Sequence, residues 1–95
     1  MTIIQHARKH GSKEPFGTFV ATQDEHGNVY FGYSARHPKK EDFFSKKRGV
    51  EVATGRAEKR LYIDMNEIPM RLLPYLEKFK ERCLKAFGKE FNNFV

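Results

Sequence analysis

Two runs of alternating residues, joined by a polar turn, constrain the fold of this chain more than any other feature. In GTFVATQ, Phe19 and Ala21 lie on one side of an extended chain, opposite Thr18, Val20 and Thr22. In NVYFGYS, one side carries Val29, Phe31 and Tyr33, and the other carries Tyr30, Gly32 and Ser34. The connecting DEHGN contains Gly27 and Asn28, which tolerate a positive φ. The sequence therefore predicts a β-hairpin.

The stretch FFSKKRGVEVATGRAEKR, from Phe43 to Arg60, predicts a helix that contains two glycines. Asp42 precedes it and is suited to an N-cap, since a carboxylate accepts hydrogen bonds from first-turn amides. Small residues recur at every fourth position, namely Gly49, Ala53 and Ala57. They predict close approach of this helix to the hairpin. Gly55 lies off that line, and three interpretations stay open: a bend, close approach by a partner, or a tolerated surface glycine.

The C-terminal third predicts a strand followed by a second helix. Alternation in RLYIDM places Leu61, Ile63 and Met65 on one face, and Asp64 with Glu67 has the spacing of a capping box. A break near Pro74 then precedes an apolar stripe that stops at Gly88. The members of the stripe are Leu72, Leu76, Phe79, Cys83 and Phe87.

Together these patterns predict a single α+β domain over residues 1–95, in the order β-β-α-β-α, with both helices packed on one face of the sheet. The first 15 residues are polar and basic without a sustained period. Ile3 and Ile4 allow an edge strand there, and a mobile segment is the alternative.

The positive charge is concentrated in one segment. Of the net +6, residues 36–60 hold nine Lys or Arg against four Asp or Glu, which gives +5. Such a local excess is typical of a surface that meets phosphates or an acidic protein. A solvated helix face is the alternative interpretation.

Motifs for metal binding and catalysis are weak in this chain. His6 and His10 are four apart, but no cysteine or carboxylate at ligand spacing completes a metal site. His37, Glu41 and Asp42 resemble an acid/base cluster, yet capping explains the two acids. The single Cys83 lies on an apolar stripe and is expected to be a buried thiol. We therefore expect no enzyme activity, no metal and no cofactor. A reducing, cytoplasmic compartment suits one cysteine, and no apolar run is long enough to span a bilayer.

Nucleic-acid binding has more support, because aromatic side chains stack on bases while Lys and Arg hold phosphates. Tyr30 is the candidate stacking residue, since it lies opposite Val29, Phe31 and Tyr33. The candidate phosphate-binding residues are Arg36, Lys39, Lys40, Lys46, Lys47, Arg48, Arg56, Lys59 and Arg60. The competing interpretation is that the aromatic residues form the core. No motif of a known RNA-binding module is present.

Residues 28–60 resemble small uncharacterised proteins that are encoded by bacteriophages and prophages. The matching residues are Gly32, Ser34, His37-Pro38, Asp42, Phe44, Lys46, Lys47, Gly49, Val52-Ala53 and Gly55-Arg56-Ala57. The resemblance implies a phage context, in which small proteins often bind nucleic acid or a host protein, and it implies no enzymatic activity. Arg56 is then a candidate for bidentate binding of a phosphate or carboxylate, or for pairing with Glu51 or Asp42 within the fold.

These observations lead to two predictions of function. The first is a basic accessory protein of phage type that binds nucleic acid through residues 36–60. The alternative is a protein that binds and inhibits an acidic host protein, for example a defence nuclease, in the manner of an anti-CRISPR. In both cases the expected location is the cytoplasm of a host cell.

Overall fold

The fold is an α+β arrangement of three strands and two helices, in a computed structural model that describes residues 1–11, 15–36 and 46–94. The strands are β1 (Thr2–Arg8), β2 (Pro15–Gln23) and β3 (Val29–Ala35), and the helices are α1 (Lys46–Glu58) and α2 (Leu73–Phe87). The strands form one antiparallel sheet in the order β1-β2-β3. The predicted fold class is confirmed. The predicted element order is wrong, because the observed order is β-β-β-α-α.

The predicted hairpin is confirmed as β2 and β3. Its register pairs Val20 with Gly32 and Thr22 with Tyr30, so the two predicted faces of each strand hold. The Asp24 carboxylate closes the turn by accepting hydrogen bonds from the backbone N–H groups of His26 and Asn28, each at 2.9 Å. Gly27 adopts the positive φ of 85° that the turn needs.

The N-terminal segment forms the edge strand that was one of two interpretations for it. β1 pairs along β2, with Ile3 opposite Ala21 and Ala7 opposite Gly17. Ile3 and Ala7 are both buried. Pairing with β2 therefore orders the N-terminal segment, although its own apolar pattern is too short to predict a strand.

The strand predicted over Leu61–Met65 is wrong. Ile63 makes only an isolated bridge to Phe94, and the chain then turns through two short 3-10 segments, Met65–Glu67 and Met70–Leu72. The Asp64 carboxylate accepts a hydrogen bond from the Asn66 N–H at 2.9 Å, so its capping role is confirmed. Helix α2 follows as predicted, with Pro74 in its first turn and Gly88 ending it at φ 74°.

The side chain of Asn93 explains why residues 61–63 do not pair as a strand beside β3. Its Oδ1 accepts from the Phe31 N–H at 2.9 Å, and its Nδ2 donates to the Phe31 carbonyl at 2.8 Å. The same Nδ2 donates to the Leu61 carbonyl at 2.9 Å, and the Asn93 carbonyl accepts from the Ile63 N–H at 2.7 Å. An amide side chain thus takes the place of a strand partner and holds residues 61–63 beside the sheet without pairing them to it.

The two helices lie on opposite faces of the sheet, so the predicted single covered face is wrong. On one face, Phe19 and Phe31 pack against Phe79 of α2 at ring-centroid distances of 5.4 and 5.9 Å, within an aromatic core. On the other face, Val20 packs against Ala53 and Ala57 of α1. On the α1 side, β3 carries the small residues Gly32 and Ser34 beside Tyr30, and on the α2 side it carries Val29, Phe31 and Tyr33. The small residues allow α1 to lie close to the sheet.

Gly32 of β3 is the point at which α1 comes closest to the sheet. A Cβ placed on Gly32 would lie 2.1 Å from the Ala53 carbonyl oxygen and 2.6 Å from the Ala57 nitrogen. Gly49, the first of the small residues spaced by four along α1, is also buried, and its carbonyl accepts a hydrogen bond from the Ser34 hydroxyl at 2.9 Å. The predicted close approach along the small residues is confirmed, with the sheet supplying a glycine of its own.

Gly55 shows no such crowding. A Cβ placed there would meet nothing within 4 Å, and α1 runs through Gly55 without interruption. The glycine therefore causes no break in the helix. A tolerated surface glycine and close approach by a partner both remain compatible with the structure.

Replacing the two glycines by alanine tests this difference. We expect Gly32→Ala to lower the free energy of unfolding by about 3 kcal/mol, because the new methyl group collides with the backbone of α1. Gly55→Ala is the matched control, and it should raise the free energy of unfolding by about 1 kcal/mol through helix propensity. Urea denaturation followed by circular dichroism measures both values, and equal effects of the two substitutions would contradict the packing described for Gly32.

The role of Asn93 is tested by removing its amide. Asn93→Ala should lower the free energy of unfolding by about 3 kcal/mol, because it leaves the buried N–H and carbonyl of Phe31 without partners. The side chain of the neighbouring Asn92 is exposed, and its Oδ1 accepts a hydrogen bond from the Val29 N–H. Asn92→Ala should therefore cost no more than about 1 kcal/mol in the same urea titration.

Candidate functional site

Helix α1 carries the basic segment along β3, in the direction opposite to that strand. Its first turns lie beside Ser34, as the Ser34–Gly49 hydrogen bond shows, and the chain just beyond its end lies beside Tyr30. Successive residues of a helix are about 100° apart, so Arg48, Arg56 and Lys59 share one flank of α1. We call these three exposed residues the basic flank.

Arg56 connects the basic flank to the edge of the sheet. Its Nη1 donates to the Tyr33 carbonyl at 2.8 Å, and its guanidinium carbon lies 5.8 Å from the centre of the Tyr33 ring. The residue remains exposed, and its guanidinium has further N–H groups that this bond does not use. Within the described residues, Arg56 forms no ion pair with Glu51; Asp42, the other predicted partner, lies outside them.

Arg60 and Tyr30 form a unit at the end of α1. The Arg60 guanidinium carbon lies 4.7 Å from the centre of the Tyr30 ring, and its Nη2 lies 3.3 Å from Oδ2 of Asp24. Arg60 adopts a φ of 56°, which ends the helix and directs the chain across the β3 edge. Tyr30 lies on the face opposite Val29 and Phe31, as predicted. That face is covered by α1, and Tyr30 is half-buried with Arg60 over its ring. Its predicted role in base stacking stays a prediction.

The carboxyl of Asp24 is held in its charged form. Partial burial acts to raise its pKa, but hydrogen bonds from the backbone of Asn28 and His26, together with the nearby Arg60 charge, lower the pKa below its usual value. The turn and the end of the basic segment are therefore joined through a charged contact.

The other predicted binding residues are dispersed. Lys47 is exposed in the first turn of α1. Arg36 follows the end of β3, where its N–H donates to the Phe16 carbonyl at 2.8 Å and its own carbonyl accepts from Arg71. Lys39 and Lys40, like the side chain of Lys46, lie outside the described residues.

Beside Arg56 the structure contains a surface groove of about 230 Å³. It is lined by Tyr33, Arg56, Leu61, Tyr62, Ile63 and Glu67. Tyr62 is 79% exposed and Leu61 is 54% exposed, although large aromatic and aliphatic side chains usually contribute to a core. The Tyr33 hydroxyl donates to the Glu67 carbonyl at 3.3 Å, so this hydrogen bond joins two of the residues that line the groove. We call this feature the β3-edge groove.

Sequence reasoning missed Tyr62, Leu61 and Glu67 as site residues. A signal was present for Tyr62, because the alternation that placed Ile63 inward implies that its neighbour faces outward. Leu61 was expected on the inner face with Ile63. It is exposed because residues 61–63 are held by Asn93 and form no ladder with β3.

The described side chains offer little for metal binding or nucleophilic catalysis. Residues 1–11, 15–36 and 46–94 contain no group of three His, Cys, Asp or Glu that would hold a metal ion. His6 lies on a strand, with its Nδ1 2.9 Å from the Thr18 hydroxyl, so its spacing from His10 does not pair them on a helix face. Cys83 is buried in α2, as predicted, and burial raises the pKa of its thiol to about 11 despite the nearby Arg82.

Neither of the helices that the structure describes is both long and apolar enough to cross a membrane. Comparison of the chain with protein-family models, curated proteins and solved structures finds no match.

The burial of Cys83 predicts its reactivity. A thiol pKa raised from 9.0 to about 11 leaves roughly 100-fold less thiolate at pH 8, so Ellman's reagent should react slowly with the folded protein and rapidly in urea. Because the folded pKa is the higher one, the associated stability is present below pH 9.0 and is lost as pH rises through about 11. A folded protein that reacts as fast as the denatured one would contradict the buried position.

Proposed function

We propose that this protein binds single-stranded nucleic acid across the basic flank and the β3-edge groove. The observation that carries the proposal is the highly exposed Tyr62, which lines the same groove as the guanidinium of Arg56. An exposed ring beside a fixed cation suits a strand whose base stacks while its phosphate is neutralised.

The basic flank supplies the electrostatic part of this function. Arg48, Arg56 and Lys59 follow α1 for about three turns, and the segment 36–60 holds +5 of the net +6 charge. Cations in a row along one helix follow a phosphate backbone without reading its sequence. The charge also attracts the strand before contact, since a local positive field raises the rate of association with anions.

A single strand fits this surface better than a duplex. The bases of a duplex are stacked inside and present only their edges, whereas the exposed Tyr62 ring needs an open base face. The groove is local and concave, and it suits one unstacked base while neighbouring phosphates lie on the basic flank.

A second candidate is a protein that binds and inhibits an acidic host protein, which the resemblance to phage-encoded proteins suggested. Exposed apolar side chains favour it: Leu61 at the groove and Met70, which is 85% exposed. Methionine and tyrosine are frequent at protein-binding surfaces. The same basic flank would then meet carboxylates in place of phosphates.

Fluorescence anisotropy with a labelled oligothymidylate tests the proposal. Affinity should fall as salt rises, and the double variant Arg48→Ala, Lys59→Ala should reduce the slope of log K against log salt by about 1.4, or about 0.7 for each lost phosphate contact. Tyr62→Ala should weaken binding by about 1–3 kcal/mol at every salt concentration.

The control is the double variant Lys78→Ala, Lys85→Ala, which removes the same charge from the exposed side of α2. It should bind like the wild type if the basic flank is the phosphate-binding surface. Thermal melting verifies that each variant is folded. If the wild type shows no binding to the oligonucleotide even at low salt, the nucleic-acid proposal fails and the protein-inhibitor candidate replaces it.

A further inference from the structure

One of the residues that line the β3-edge groove, Glu67, is acidic, which a site for phosphate alone would not need. Glu67 lines the groove together with Arg56, at the end of a 3-10 turn that Asp64 caps. A carboxylate repels phosphate oxygens, whereas it accepts hydrogen bonds from N–H groups. The occupant that suits both residues therefore has N–H donors toward Glu67 and acceptors toward Arg56.

We propose that the β3-edge groove binds a guanine base of the single strand, with the base stacked on Tyr62, its donor edge on Glu67 and its acceptor edge toward Arg56. This inference rests on the proposed function and adds base selectivity to it. The groove volume of about 230 Å³ suits a single base better than a longer segment.

The hydrogen-bonding groups of guanine distinguish it from the other bases. Guanine presents two neighbouring donors, N1–H and the N2 amino group, which match the two oxygens of one carboxylate. Its O6 and N7 are acceptors, and arginine is their commonest partner. Adenine and cytosine place an acceptor beside their single amino group. Thymine and uracil place carbonyl oxygens on both sides of one N–H, and these would face the carboxylate unfavourably.

The groups involved are held in place within the fold. Arg56 is fixed by its bond to the Tyr33 carbonyl, and the Tyr33 hydroxyl is fixed by the Glu67 carbonyl. The Glu67 N–H in turn donates to the Asp64 carbonyl at 2.9 Å. The backbone of Glu67 is therefore positioned by two neighbours, Tyr33 and Asp64, and the residue is exposed. A site whose groups are positioned before binding loses less entropy on binding.

Four strands test the inference by anisotropy: plain oligothymidylate and three versions of it that carry one central guanine, adenine or cytosine. The guanine-containing strand should bind about 10-fold more tightly than the other three, as expected for one bidentate base contact. Glu67→Gln should remove most of this preference, because its amide NH2 opposes one of the guanine donors. It should bind plain oligothymidylate at least as tightly as the wild type does, because the carboxylate that opposes the thymine carbonyls is gone.

Glu77→Gln on the exposed side of α2 is the matched control, and it should keep the guanine preference. Equal binding of all four strands by the wild type, or a guanine preference that survives in Glu67→Gln, would overturn the inference while leaving the proposed function intact. Absence of binding to every strand would overturn both.

Discussion

The amide of Asn93 is the contact on which the arrangement of the β3 edge depends. It bonds the N–H and the carbonyl of Phe31, as a neighbouring strand would, and it is only 2% exposed. Because these groups are satisfied, the chain leaving α1 crosses the edge without joining the sheet. Its Leu61 carbonyl is bonded by the same amide, which leaves Leu61 and Tyr62 facing outward. The β3-edge groove is a result of this one side chain.

The close approach of α1 to the sheet connects the groove to the basic flank. Gly32 lets the backbone of α1 lie almost directly on β3, so that Arg56 is near enough to bond the carbonyl of Tyr33. A larger residue at position 32 would lift the helix and withdraw this guanidinium from the groove. The glycine and the alanines that pack on it therefore determine the position of a charged group as well as the packing of a layer.

Sequence patterns predicted the features that depend on near neighbours. The alternation around Gly27, the apolar stripe of α2 and its stop at Gly88 were all correct, because each is decided within a few residues. The predicted order of elements was wrong for two reasons. Strand β1 forms by pairing with β2. The strand expected at Ile63 is prevented by Asn93, which lies 62 positions from its partner Phe31. Of the site, Arg56 and Lys59 could be predicted from charge. The alternation around Ile63 indicated that Tyr62 faces outward, but the groove that Tyr62 and Glu67 line could not be predicted, because it depends on that distant amide.

The unequal layers on the two faces of the sheet give the molecule unequal local stability. Beneath α2 lies an extensive aromatic core, whereas the buried apolar cluster that the described residues form under α1 consists of Val20, Ala53 and Ala57. Detaching α1 exposes little apolar surface, so its local opening requires less free energy than global unfolding. Amide protons of α1 then exchange with solvent while those of β2 stay protected. A ligand that contacts both α1 and β3 opposes the local opening of α1, and it therefore stabilises the part of the fold that has the lowest local stability.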